Sequence, residues 1–167
     1  RPPLQGATRY DTLLLVLTLG FPAAGVAQQR FATLGDFALE NGQTIQNCRI
    51  GYRTFGRLNA DRSNAVLVPT WFTGNSVQKS FVASPGNLAD STKFFTIIVD
   101  ALGNGVSSSP SNSPAQPGKT FPTVSIRDMV RSQHELLTKH LGLNHVYAVL
   151  GISMGGMQSF QWAVSYP

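Results

Sequence analysis

The chain has 167 residues, the length of about one domain, and its 42% hydrophobic and 13% charged content suits a packed globular core rather than a disordered segment. Its formal net charge of +5 comes from Lys and Arg residues scattered singly, with no basic run or basic–aromatic stripe, so no nucleic-acid partner is expected. A single cysteine, Cys48, leaves no internal disulfide, and its place in a strand-like stretch away from any histidine predicts a packed structural thiol.

At the N-terminus, Arg1 and Arg9 precede the apolar run Leu13-Leu14-Leu15-Val16-Leu17-Thr18-Leu19, then Pro22 and the small-residue series Ala23-Ala24-Gly25-Val26-Ala27. A basic region, an apolar region and a small-x-small site in this order predict a signal peptide over residues 1–27, cut after Ala27, and so a secreted or periplasmic protein. The apolar run is shorter than the roughly 20 residues a membrane-spanning helix needs, so no stable membrane span is expected. The competing reading is an N-terminal core helix; the abrupt change to polar residues at Gln28 favours the signal peptide. Because the chain opens on Arg and stops soon after its most informative motif, residues 28–167 are expected to be the N-terminal part of a longer domain.

Next come Phe37-Ala38-Leu39-Glu40, a turn at Asn41-Gly42, and a strand-like run from Ile45 to Phe55, which together predict an antiparallel pair at a sheet edge. Asn64–Val68 and Phe94–Asp100 are continuous apolar runs, the pattern of parallel strands covered on both faces. Residues 103–118 break this rhythm, since 13 of the 16 are Gly, Asn, Ser or Pro. A linker is conceivable, but sheet elements flank the stretch on both sides, and a long loop leaving the end of a parallel strand is expected at the rim of an active site. Ser125 and Asp128 have capping-box spacing ahead of a helix with Ile126, Met129, Val130, Leu137 and Leu141 on one face, ended by Gly142. His145–Leu150 reads as a further buried strand. The series predicts an α/β fold with a doubly wound, mostly parallel sheet.

That last strand runs into Gly151-Ile152-Ser153-Met154-Gly155-Gly156 and then a helix-compatible stretch from Met157 to Val164. Strand, Gly-x-Ser-x-Gly and helix in this order predict a serine nucleophile, Ser153, on a strained turn. Gly151 and Gly155 then serve by lacking a Cβ, and Gly156 by letting the helix sit close to the sheet. A serine hydroxyl needs a base, and the tetrahedral oxyanion needs donors. The N–H of Met154 is one predicted oxyanion donor; the other is the N–H of Phe72, in the Thr70-Trp71-Phe72-Thr73-Gly74 segment after the Asn64–Val68 strand. His134, His140 and His145 all precede Ser153, whereas a base in this arrangement follows it, so all three are expected to be structural or solvated.

Residues 31–167 resemble the homoserine O-acetyltransferase family of α/β-hydrolase-fold acyltransferases and hydrolases. The resemblance rests on Gly51–Asn59, Leu102-Gly103, Thr123–Val130, Leu141-Gly142-Leu143, Gly151–Gln158 and Gln161–Pro167. It implies the α/β-hydrolase fold and ping-pong acyl transfer through acyl-Ser153, from a small-molecule acyl donor to a hydroxyl acceptor or water. It also implies a catalytic Asp and His beyond Pro167, no bound cofactor, and acyl-CoA as a possible co-substrate with homoserine as acceptor. Two features depart from the family: Thr70-Trp71-Phe72 and Gly151-Ile152 stand where its acetyltransferases read His-Ala-Leu and Gly-Gly, and the N-terminus is signal-like. Both put homoserine in question as the acceptor, and export points to transfer to water or to some other acceptor instead. A non-catalytic relative, serving as a binding or structural module, is the alternative. For the signal peptide, N-terminal sequencing of the protein from its native cell should begin at Gln28; recovery from the cytosol with residues 1–27 attached refutes the export expectation.

Overall fold

The computed structural model describes residues 27–167, so the expected signal peptide over residues 1–27 lies outside the described residues except for Ala27. Strand β1 (Arg30–Ala38) and strand β2 (Thr44–Phe55) form the expected antiparallel hairpin. Its turn closes through Leu39 N–H donating to Gln43 O at 2.8 Å, with Gly42 at φ 82°. Only glycine adopts that angle cheaply, which is why Asn41-Gly42 marks the turn. β3 (Ala65–Pro69), β4 (Phe95–Val99) and β5 (Ala148–Val149) complete a five-stranded mixed sheet in the order β1-β2-β4-β3-β5. β3 runs parallel to both β4 and β5, and β2 joins β4 antiparallel.

The apolar runs of β3 and β4 are buried because both faces are covered. On one face, Leu67, Ile97 and Val99 pack with Met129 and Val130 of α1 (Ile126–Glu135) and Trp162 of α2 (Met154–Ser165). On the other, Val66, Val68 and Ile98 meet Val82 from a single 3-10 turn (Ser80–Ala83) and Ala89 from the loop after it. Cys48 faces the first of these layers, fully buried, and burial pushes its thiol pKa up to about 12. It is the inert structural thiol expected.

The capping box at α1 is complete: Asp128 N–H donates to Ser125 Oγ and Ser125 N–H donates to Asp128 Oδ2, each at 3.1 Å. Asp128 Oδ1 also accepts from Glu40 N–H at 3.0 Å, so the cap ties the helix start to the end of the β1–β2 hairpin. α1 does not run regularly to Leu141; it widens into a π-type turn (Leu136–His140) before Gly142, at φ 64°, ends it.

The strand expected over His145–Leu150 is paired only at Ala148–Val149, with flanking bonds from Tyr147 N–H to Ala65 O and from Leu150 N–H to Leu67 O. Its ladder is short because β3 is its sole neighbour among the described residues. Met157, Phe160 and Val164 of α2 are exposed. Asp128→Ala should cost about 2 kcal/mol, roughly one for the lost cap and one for the bond to Glu40. Urea denaturation checks this; an unchanged midpoint would mean the cap does not tie hairpin to helix.

Candidate active site

The turn between β5 and α2 is tight. Ser153 sits at φ 56°, ψ −128°, a conformation that costs a non-glycine residue about 1–3 kcal/mol and persists only when the surroundings impose it. They do so through two glycines. A Cβ on Gly151 would run into the Gly155 carbonyl and lie 2.6 Å from Gly156 N. A Cβ on Gly155 would lie 2.7 Å from Pro69 O, against the end of β3. Gly156 is different: a Cβ there meets nothing closer than 3.5 Å, so Gly155, not Gly156, allows the close approach of helix to sheet. The sequence places both in the first turn, and only the direction of the Cβ vector separates them.

Ser153 is exposed and makes no side-chain cap to α2. Met154 opens the helix, where backbone N–H groups lack an intrahelical acceptor. Its N–H bonds to no backbone carbonyl among the described residues, and the same holds for Phe72. The rest of the 70–74 segment is tied down. Thr70 N–H donates to Val99 O, Thr70 Oγ1 accepts from Ala101 N–H, and Gly74 N–H donates to Trp71 O. Phe72 and Met154 line one cleft of about 220 Å³, together with Leu102, Phe121, Pro122 and Met129. The two predicted oxyanion donors therefore belong to residues that share a cavity, while the Ser153 side chain stands exposed immediately before Met154 in the chain.

Two buried polar networks hold this arrangement, and neither was apparent in the sequence. In the first, Asp100, fully buried at the end of β4, accepts from Ser76 N–H at 2.7 Å, Ser76 Oγ at 2.8 Å, and the Gln29 and Asn104 side-chain amides at 3.1 Å. Asn104 also donates to Gly74 O, so the 70–76 segment is anchored from below. Arg53 joins through its bond to Ser76 Oγ and another to Ala27 O. In the second, Trp162 donates to Gln133, Gln133 to Gln158, and Gln158 to Thr70 O, which binds both helices to the end of β3. A carboxylate closing an apolar strand and glutamines interrupting apolar helix faces were the available signals.

The loop over residues 103–118 is ordered. Ser107 Oγ accepts from Gly51 N–H and Ser108 Oγ from Arg49 N–H, while Asn112 donates back to Gly105 O and Ser107 O. Serine hydroxyls thus satisfy β2 backbone groups that a strand would otherwise have paired. Of this loop, Gly103 at its start and Pro110 at its middle reach the cleft, beside Leu102, so it forms part of the rim. Trp71 is partly buried and lies against Lys79. His134 stacks on Tyr166 at 3.9 Å between ring centres, and burial lowers its pKa; His140 and His145 are exposed. None of the three hydrogen-bonds Ser153. Among the described residues no cluster of His, Cys, Asp or Glu is arranged to hold a metal ion, and no helix is long and apolar enough to cross a membrane.

A strand, a strained serine turn and a helix on a sheet of this order define a protein class, and the sequence model of the alpha/beta hydrolase fold matches residues 65–167. The chain belongs to that family. It is 43% identical to an ethyl acetate hydrolase of Pseudomonas veronii over 138 residues, covering 80% of this chain and 39% of the relative. It is also 38% identical to a homoserine O-acetyltransferase of Geotalea daltonii, covering 86% of this chain and 44% of the relative. The solved structure of the acetyl esterase MekB superposes with a TM-score of 0.81 at 39% identity, over 85% of this chain and 42% of that one. The chain thus spans less than half the length of these relatives, and the resemblance read from its motifs holds.

Gly155→Ala should drive α2 away from β3, destabilise the fold by about 1–3 kcal/mol and separate Met154 from Phe72. Gly156→Ala should fall within about 1 kcal/mol of wild type, as in an open helix position. Denaturation of the two variants side by side tests the assignment, and equal stability of both refutes it.

Proposed function

We propose that the complete protein transfers an acyl group through a covalent ester on Ser153, with water as the usual acceptor. The reading is carried by one observation: Ser153 is held exposed at φ 56° immediately before Met154, whose unbonded N–H belongs to the same cleft as Phe72. In the forward step Ser153 Oγ attacks the carbonyl carbon of an ester and gives its proton to a base. The carbonyl oxygen takes the electron pair as an oxyanion held by the Met154 and Phe72 N–H groups. Collapse expels the alcohol, which takes up the proton, and leaves acyl-Ser153. Water then attacks the acyl carbon, releasing the acid and restoring the serine.

The base in this scheme is a histidine oriented by a carboxylate, both supplied by residues outside those described. The family resemblance implies this pair, and among the described residues none of His134, His140 and His145 hydrogen-bonds Ser153. A cleft of about 220 Å³ walled by Phe72, Phe121 and Met129 suits a short acyl group. Similarity to the ethyl acetate hydrolase supports water as acceptor, as do Trp71-Phe72 and Ile152 in place of the residues usual in the acetyltransferases. Export after cleavage at Ala27 is part of the same proposal, since it removes the enzyme from cytosolic coenzyme A thioesters. Similarity to a homoserine O-acetyltransferase supports the second reading, in which acyl-CoA is the donor and homoserine the acceptor.

The test uses the complete protein. A fluorophosphonate should label Ser153, and Ser153→Ala should abolish labelling and lower kcat/KM on a short-chain acetate ester by about 10³-fold or more. Wild-type protein given acetyl-CoA and homoserine should form O-acetylhomoserine far more slowly than it hydrolyses the ester; the opposite ratio selects the transferase reading. Absence of both labelling and turnover would leave the non-catalytic module.

A further inference from the structure

Lys79 is the largest fully buried side chain of the fold, 1% exposed, and it forms no salt bridge among the described residues. A buried ammonium without a carboxylate is costly, so its neighbours matter. Its Nζ donates to Pro69 O at 2.8 Å and lies 4.9 Å from the centre of the Trp71 ring. It also lies 3.4 Å from the point where a Cβ on Gly155 would stand. One atom therefore contacts the end of β3 and the segment carrying Phe72, and faces the first turn of α2, whose Gly156 lines the same cavity.

We propose that Lys79 is a positioning residue for acyl transfer, holding the Trp71–Phe72 segment in register with the first turn of α2 so that the two oxyanion donors face one point. It is absent from the Phe72–Met154 cleft and instead lines a separate cavity of about 450 Å³ with Val68, Val82, Leu150, Gly151 and Gly156. The inference rests on the acyl-Ser153 reading above. A protonated amine binds the Pro69 carbonyl and the Trp71 face more strongly than a neutral one. The hold is therefore strongest while Lys79 is charged.

This assigns the residue a pH signature. Burial lowers the Lys79 pKa from 10.5 to about 8, and among the described residues no other ionisable group lines that cavity. The ends of β3 and α2 and the 3-10 turn bring only apolar, serine or backbone groups to it. As pH rises through about 8 the charge is lost and the grip on Trp71 weakens, so activity falls. Between pH 8 and 10.5 the unfolded chain still binds the proton that the folded chain has released. Stability therefore rises with pH in that window while activity declines. A merely structural lysine would move the two together.

The experiment compares wild-type complete protein with Lys79→Met, which keeps the apolar stem and volume, and with Ser153→Ala. Expected is a fall of tenfold or more in kcat for Lys79→Met with KM within about twofold, slower fluorophosphonate labelling, and loss of the alkaline decline near pH 8. The gain of thermal stability above pH 8 should also disappear, with Tm at pH 7 equal to wild type or higher. Wild-type kcat in Lys79→Met, or a decline near pH 8 that survives the substitution, overturns the proposal. So does a kcat loss matched by a lowered Tm at pH 7. If Ser153→Ala retains labelling and turnover, the acyl-Ser153 reading itself has failed; if it abolishes both while Lys79→Met behaves as wild type, only the role of Lys79 has failed.

Discussion

The candidate site depends on how closely the first turn of α2 approaches the carboxyl end of β3. Gly155 permits that approach because Pro69 O occupies the space a side chain would need. With the helix there, Met154 N–H and Phe72 fall on one cleft, and the chain linking β5 to α2 has to turn so sharply that Ser153 takes a positive φ. Strain at the serine is thus a consequence of packing elsewhere: the helix is fixed by its contacts, and the turn absorbs the difference.

What fixes the helix and the facing segment is polar. Gln158 reaches Thr70 O from the helix side, and Asp100 binds Ser76 from the sheet side, with Asn104 extending to Gly74 O. Such bonds in a low-dielectric interior specify a single arrangement, because any slip leaves a buried donor or acceptor unpaired. Among the described residues no buried side-chain nitrogen or oxygen lacks a hydrogen-bond partner. An apolar filling at the same places would pack but would tolerate sliding between β3 and α2. Under the proposed acyl transfer two amides are aimed at one atom, and there rigidity is the relevant property.

Much of the fold was legible in the sequence because its signals are local. The Asn41-Gly42 turn, the Ser125–Asp128 cap and the continuous apolar runs of β3 and β4 each follow from a few adjacent residues. The Gly151–Gly155 spacing marks the turn because the Gly151 constraint lies within five residues, although Gly155 answers to the distant Pro69 carbonyl. The less legible features depend on distant partners. Nothing near Lys79 in the chain reveals that it meets Pro69 and Trp71 at once and faces the first turn of α2. Asp100 reads as the polar end of a strand until Ser76, Gln29 and Asn104 converge on it. The serines of 107–109 look like loop composition, yet two of them do the hydrogen-bonding work of a missing strand for β2. The short pairing of β5 was likewise hidden, because ladder length is set by neighbours.

Among the described residues β5 is an edge strand, paired on one side only, and Met157, Phe160 and Val164 of α2 face water. An unpaired edge offers backbone donors and acceptors to any strand that meets it. Residues 27–167 prepared by themselves therefore carry the ingredients of self-association, and an additional strand hydrogen-bonded to β5 would remove them.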